Sequence, residues 1–173
     1  MTRKTELIFV PLAEAGLLFA IGGIGVWLGL PLLFGSLGPT AYEQIEKPET
    51  KSARPYNVLA GHGIALACGF FALWVLGGFH EPLAASSGHL SATRLLAGVL
   101  ACVLIALLSL LAKATQPAAF ATGLLVTLGG YQSGRAALSI VIAVLLLTAL
   151  GEPLRRKSLQ MREQKAGIRN QPL

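Results

Sequence analysis

No aspartate occurs anywhere in the 173 residues, and all eight carboxylate side chains are glutamates. Paired-carboxylate chemistry and acidic metal sites have almost nothing to draw on. Cysteine is limited to Cys68 and Cys102, each inside its own apolar run, with no CxxC pair and no histidine at ligand spacing. That excludes a disulfide framework and a zinc cluster, and the two thiols read as small packing residues. The three histidines do not cluster: His62 lies in an apolar run, while His80 and His89 are in a loop. An enzyme would need a carboxylate pair, a nucleophile beside a base, or a metal cluster. None is offered, so no catalytic residue, metal or cofactor is expected.

Charge is scarce as well, at 13% of residues, while hydrophobic residues make up 54% and the mean hydropathy is +0.66. A water-soluble domain does not carry that balance. The apolar residues come in blocks long enough for a helix to cross a hydrocarbon layer of about 30 Å, which takes about 20 residues. Long runs cover 7–30, 56–79, 95–112 and 136–150. Pro11 and Glu14 interrupt the first, Pro31 ends it, and Gly151, Glu152 and Pro153 close the last. Two short runs, 32–42 and 117–130, are broken by Gly35, Gly38, Pro39, Pro117 and Gly123. The order is long, short and broken, long, twice over. The expected fold is an all-α membrane protein with four long transmembrane helices and two short Gly/Pro-broken membrane segments, arranged as two inverted three-segment repeats. Half one spans 7–79 and half two 91–152, within a transmembrane domain of 1–154 followed by a basic cytoplasmic tail of 155–173.

The net charge of +6 and the pI of about 9.8 do not indicate nucleic acid, because Lys and Arg are not interleaved with aromatic residues on one surface. They collect in connections and in the tail, at Arg155, Arg156, Lys157, Arg162, Lys165 and Arg169. The bias of Lys and Arg toward the cytoplasm discriminates between two topologies. If the short segments cross, the 14 basic residues divide 12 to 2, with only Arg94 and Arg135 outside; if they re-enter, the division is 9 to 5. Six crossings with both termini cytoplasmic fit better. Trp27 and Trp74 suit the aromatic belt, and Gly25 with Gly29 forms a GxxxG pair.

A proline in the first helical turn sacrifices no intrahelical bond, so Pro39 after Gly38 and Pro117 after Gln116 read as helix starts. Helix N-termini present free N–H groups and partial positive charge, which attract anions. Thr40 and Thr122 would add hydroxyl donors there. The competing reading is that the small residues serve helix packing alone. His62 is the histidine within a membrane run, which makes it a functional candidate; near its helix start it could instead be hydrated or bonded to a carbonyl. Asn57 reads as a cap. Glu14 either couples protons or marks where the span begins, with 7–12 in the interface, and the interface is favoured.

The run Gln116, Pro117, Ala118, Ala119, Phe120, Ala121, Thr122, Gly123, Leu124 resembles the His-Pro-Pro-Ala-Gly-Ala-Thr-Ala-Leu signature of the HPP family of integral membrane proteins. Phe34, Gly35, Ser36, Leu37, Gly38 through Ala41 is similar to that family's small-residue segment, and Pro55, Asn57, Gly61 and His62 match its Pro-x-Asn-x-x-x-Gly-His helix start. The signature histidine is Gln116 here and the second proline is Ala118, so no imidazole role carries over to that position. The resemblance implies permeation of a small, nitrite-like inorganic anion. Candidate substrate-binding residues are Ser36, Gly38, Pro39, Thr40, His62, Gln116, Pro117 and Thr122. The first functional expectation is therefore an anion transporter or channel in a bacterial plasma (inner) membrane. The alternative is a non-transporting scaffold or regulatory subunit. Expected partners are the lipid bilayer, the anion and further copies of the chain.

Overall fold

The computed structural model describes residues 3–169, and within them every regular element is helical. The helices are α1 (Arg3–Leu28), α2 (Leu37–Glu46), α3 (Pro55–Leu76), a single-turn α4 (Ala84–Ser87), α5 (Ala92–Leu111), α6 (Ala119–Thr127) and α7 (Gly134–Arg169). Four stretches are long and apolar enough to cross a membrane: Glu6–Leu28, Pro55–Leu76, Ala92–Leu111 and Gly134–Gln164. Their outward side chains are apolar, with Phe19, Val26, Trp27, Leu110 and Leu111 more than 70% exposed. Such an exterior is stable only against lipid, so the chain is an integral membrane protein. The last four residues of the expected tail, 170–173, lie outside the described residues.

Two helix ends set up the short segments. At the end of α1 the Leu30 N–H donates to the Gly25 carbonyl (2.9 Å) and the Gly29 N–H to Val26 (3.3 Å), with Gly29 at φ +63°. This Schellman closure uses a residue without a Cβ in the left-handed region. At the end of α5 the same pair recurs, Ala114 to Ser109 (2.9 Å) and Lys113 to Leu110 (3.1 Å), and Lys113 takes the left-handed role at φ +53°. After both closures the chain runs without regular structure into the short helix α2 or α6. The GxxxG pair is thus a helix terminus. A Cβ on Gly25 would come within 2.8 Å of the Leu30 carbonyl oxygen, so this face receives its own returning chain.

The hydrogen bonds at the ends of the bundle show that both short segments cross it. Near one end, Arg135 donates to the Gly29 carbonyl (3.0 Å) and Tyr131 to Pro31 (3.0 Å). Near the other, Arg155 donates to the Pro48 carbonyl (2.7 Å) and Arg162 to Glu46 (2.5 Å). Arg135 and Arg155 are both on α7, and the 20 residues between them (155 minus 135) rise about 30 Å. The segment holding α2 covers that distance. For α6, Tyr56 donates to Ala112 (2.8 Å) and Gln116 to Ser52 (3.1 Å) at the end carrying Pro48. At the opposite end Ala84 donates to Leu128 (3.1 Å) and Arg94 to Thr127 (2.7 Å). The chain passes six times between a basic end, with Lys47, Lys51, Arg54, Lys113 and Arg155, and a far end.

Helix pairing is the same in both halves: α1 with α2 and α5 with α6, α2 with α7 and α6 with α3, α1 with α7 and α5 with α3. Each short helix therefore packs on the last long helix of the other half. The two cores follow this exchange. One gathers Ala65, Cys68, Ala101, Ile105 and Val126, and the other Leu17, Ile21, Ala41, Ile45 and Leu147. Small residues permit the closest approaches. A Cβ at Gly69 would sit 3.0 Å from Val126 Cβ, and one at Gly123 only 2.5 Å from Ile105 Cδ1.

Three local expectations change. The last long helix does not stop at Gly151, Glu152 and Pro153: α7, 36 residues in all, continues through them to Arg169. Pro153 costs one ladder bond, which the Glu152 bonds to Arg155 and Arg156 (2.6 and 2.7 Å) help offset. α1 likewise runs unbroken through Pro11 and Glu14. Asn57 caps nothing, since Arg54 is the N-cap of α3 and makes no side-chain cap bond.

With Cys68 and Cys102 replaced by alanine, single cysteines at the exposed positions Lys51 and Ser133 will react with a membrane-impermeant maleimide from opposite faces. Labelling of both from one face would remove the sixfold crossing. Gly69→Ala will destabilise the fold by about 1–3 kcal/mol through overpacking. Gly63→Ala, whose added carbon meets nothing within 4 Å, will change stability by no more than about 0.5 kcal/mol; thermal unfolding in detergent measures both.

Candidate functional site

The polar residues of the short helices meet in the bundle interior. Thr40 is the fourth residue of α2 and Thr122 the fourth of α6, and the imidazole of His62 on α3 lies between them. Thr40 Oγ1 is 3.1 Å from His62 Nε2, and Thr122 Oγ1 is 2.8 Å from His62 Nδ1. Thr40 also donates to the Ser36 carbonyl at 2.8 Å, and Ser36 Oγ is 2.7 Å from Thr122 Oγ1. All four residues are at most 1% exposed. The ring nitrogens are not bonded to a carbonyl: two hydroxyls, one from each short helix, hold them.

Depth follows from position in the helix. His62 is seven residues beyond Pro55, about 10 Å into a helix of about 33 Å. One small pocket of about 90 Å³ reaches it from the side, lined also by Leu59, Gly63, Leu66, Ile140, Val141, Val144 and Leu145. Apart from His62, the lining is wholly apolar.

The remaining candidates stand apart from this cluster. Gln116 is buried near the basic end, where its amide nitrogen donates to the Ser52 carbonyl (3.1 Å) and its oxygen accepts from the Ala118 N–H (3.2 Å). It ties the start of α6 to the segment before α3 and caps an N–H that no helical carbonyl reaches. Pro117 precedes α6 and is exposed, alongside Gln116 and Phe120 in an open groove of about 360 Å³. Pro39 is the third residue of α2 and exposed, and Gly38 beside it is half-buried with open space where a Cβ would be.

Two buried groups escaped the sequence. Arg94, counted above as a loop charge at the far end, is 1% exposed. Its Nε donates to Pro82 (2.6 Å), Nη1 to Thr127 (2.7 Å) and Nη2 to Glu81 (2.5 Å), all backbone carbonyls. The Gln132 amide, with its oxygen toward the guanidinium, accepts at 3.0 Å. Thr127 is the last residue of α6, so the charge also meets the negative end of that helix. Gly129 at φ +99° presses its backbone on the guanidinium, and a Cβ there would lie 3.0 Å from it. Arg94 is the third residue of α5, after the N-cap Ser91, which accepts from its N–H. Gln44 on α2 is fully buried against Gly151, with neither amide atom hydrogen-bonded; no sequence signal distinguished it. Among the described residues, no three His, Cys, Asp or Glu side chains gather as metal ligands would.

A bundle with an apolar exterior, two short helices and a buried polar cluster between them defines a polytopic helical membrane protein. Residues 2–152 match the family described as HPP, transmembrane region, and the chain belongs to that family. No curated protein and no solved structure matches the chain significantly.

Replacing Arg94 by methionine keeps the length of the side chain and leaves three carbonyls unpaired, each costing about 1–3 kcal/mol. The expected loss is about 3 kcal/mol or more, read as a fall in thermal midpoint in detergent, with Arg94→Lys recovering only part. An unchanged midpoint would mean that the guanidinium does not hold the far end together.

Proposed function

We propose that the protein carries a small, nitrite-like inorganic anion across the membrane, through the polar cluster around His62. The observation that supports this most is the placement of Thr40 and Thr122 at the same position of two short helices that run in opposite directions. Hydroxyls from both converge on one imidazole, in a layer that otherwise holds apolar packing. Short, broken helices at corresponding places in two halves are the sequence pointer to a transporter's binding site. Membership of the HPP family agrees with a transport role. The shared pairing of helices supports an inverted three-plus-three repeat, a plan on which one half can move against the other. The basic end faces the cytoplasm on this reading, because it holds most of the Lys and Arg. The membrane is the bacterial plasma membrane, the protein acts without a cofactor or metal and is not an enzyme, and copies of the chain associate.

A second reading, a scaffold or regulatory subunit, has one observation in its favour. Every hydroxyl and nitrogen of the cluster already has a protein partner, as a purely structural core would require.

Proteoliposomes loaded with the purified protein distinguish the two. Nitrite uptake is expected, and Thr40→Val and Thr122→Val are each expected to reduce it by about tenfold or more, the rate equivalent of ~1.4 kcal/mol from one buried hydrogen bond. Both variants keep the side-chain volume, and thermal unfolding will show whether they remain folded. Absence of flux for nitrite, nitrate and chloride by the folded wild-type protein would favour the scaffold.

A further inference from the structure

The hydrogens around His62 can be placed by counting donors. Thr40 gives its one hydroxyl hydrogen to the Ser36 carbonyl, so toward the imidazole its oxygen only accepts. His62 Nε2 therefore carries a hydrogen and donates to Thr40. In a neutral ring Nδ1 is then bare, and Thr122 donates to it. The Ser36 hydroxyl in turn donates to Thr122. These bonds form a closed circuit from the Ser36 hydroxyl through Thr122, His62 and Thr40 to the Ser36 carbonyl. It runs one way only, because a carbonyl has no hydrogen to return.

An added proton has one place to go, Nδ1. Once Nδ1 bears a hydrogen, Thr122 must accept where it had donated. Its own hydrogen then turns to Ser36 Oγ, already 2.7 Å away, and the Ser36 hydrogen is released from the circuit. No heavy atom has to move for this reversal.

The imidazolium so formed has no negative partner among the described residues. From α2 it meets Thr40 and from α6 Thr122, and the α7 residues that line the pocket beside it, Ile140, Val141, Val144 and Leu145, are apolar. α6 has no titratable residue, and α5 has only Cys102, a thiol, and Arg94, which is held by carbonyls. On α3 Tyr56 bonds to Ala112, and Cys68 is a thiol. On α2 Tyr42 is exposed, Glu43 accepts from Ser52, and Glu46 pairs with Arg162. On α7 Arg135 holds Gly29, Glu152 holds Arg155 and Arg156, Lys157 lies over Phe9, and Glu163 is exposed. A buried cation without a counter-ion is strongly disfavoured. The proton can stay only if a negative ligand arrives with it, and by linkage each then strengthens the binding of the other.

The geometry points to His62 as a proton site: one proton on Nδ1 and one monovalent anion bind together, and the released Ser36 hydroxyl hydrogen becomes a donor to that anion. This rests on the reading that the cluster receives an anion, and it names the proton as co-substrate.

The test uses the full chain in lipid, with nitrite as the probe. Nitrogen-15 spectra of His62 are expected to show the Nε2–H tautomer at alkaline pH. Saturating nitrite is expected to raise the pH at which Nδ1 becomes protonated. In parallel, the apparent Kd for nitrite should fall by up to about tenfold per pH unit as His62 takes up its proton, as one linked proton requires. His62→Gln, whose amide supplies one donor and one acceptor but cannot be protonated, should flatten that slope, and Ser36→Ala should weaken nitrite binding at low pH only. A neutral Nδ1–H tautomer overturns the proposal, as does a His62 titration that nitrite leaves unmoved. Nitrite uptake that is independent of pH while His62 stays neutral would defeat the proton site and leave the transport reading intact. A nitrite-dependent His62 titration without flux would uphold the proton site and defeat transport. The spectra of the wild-type protein decide the matter even if His62→Gln fails to fold.

Discussion

Hydrocarbon supplies no hydrogen-bond partners, and the interior of this protein is arranged around that constraint. Helices of nine and ten residues, about 14 and 15 Å long, cannot reach across a bilayer alone. The residues that complete each crossing are non-helical and carry open N–H and C=O groups. Such backbone persists at membrane depth only where protein covers it. The exchange of short helices between halves provides that cover: α6 lies against α3 and α5, and α2 against α7 and α1.

Buried polar side chains complete the arrangement at three levels. Near the basic end, Gln116 bonds the approach to α6 to the chain ahead of α3. Near the far end, Arg94 gathers the end of α6 and the loop after α3 onto the first turn of α5. Between these levels, His62 joins the two short helices to each other through Thr40 and Thr122. The outer two levels are made by side chains that donate to backbone carbonyls, so they tie one stretch of backbone to another. The middle level is built on an imidazole, whose two nitrogens each bond a hydroxyl from a different short helix.

Much of this was readable one residue at a time. The four long runs, the two interruptions and the basic bias appear in the hydropathy and charge of successive residues, because lipid filters side chains by solubility alone. Ser36, Thr40, His62 and Thr122 were each visible as polar groups in apolar surroundings. Arg94 was not, since a charge one turn inside a helix looks the same as one in the adjoining loop until its three carbonyl partners are in place. Asn57 misled for the converse reason: a residue type that caps helices elsewhere lies buried in the first turn here, with Oδ1 unpaired.

By itself the amino-acid sequence determined that the chain enters a membrane, how many apolar blocks it has, and which end gathers positive charge. These are sums over neighbouring residues, and the solvent reads them directly. Only the tertiary structure decided that the short segments cross, that each packs on the other half, and that hydroxyls 82 residues apart (Thr40 and Thr122) meet on one histidine. Those outcomes depend on which buried groups find partners across the bundle, and a hydrogen bond between distant residues leaves no trace in the order of the chain.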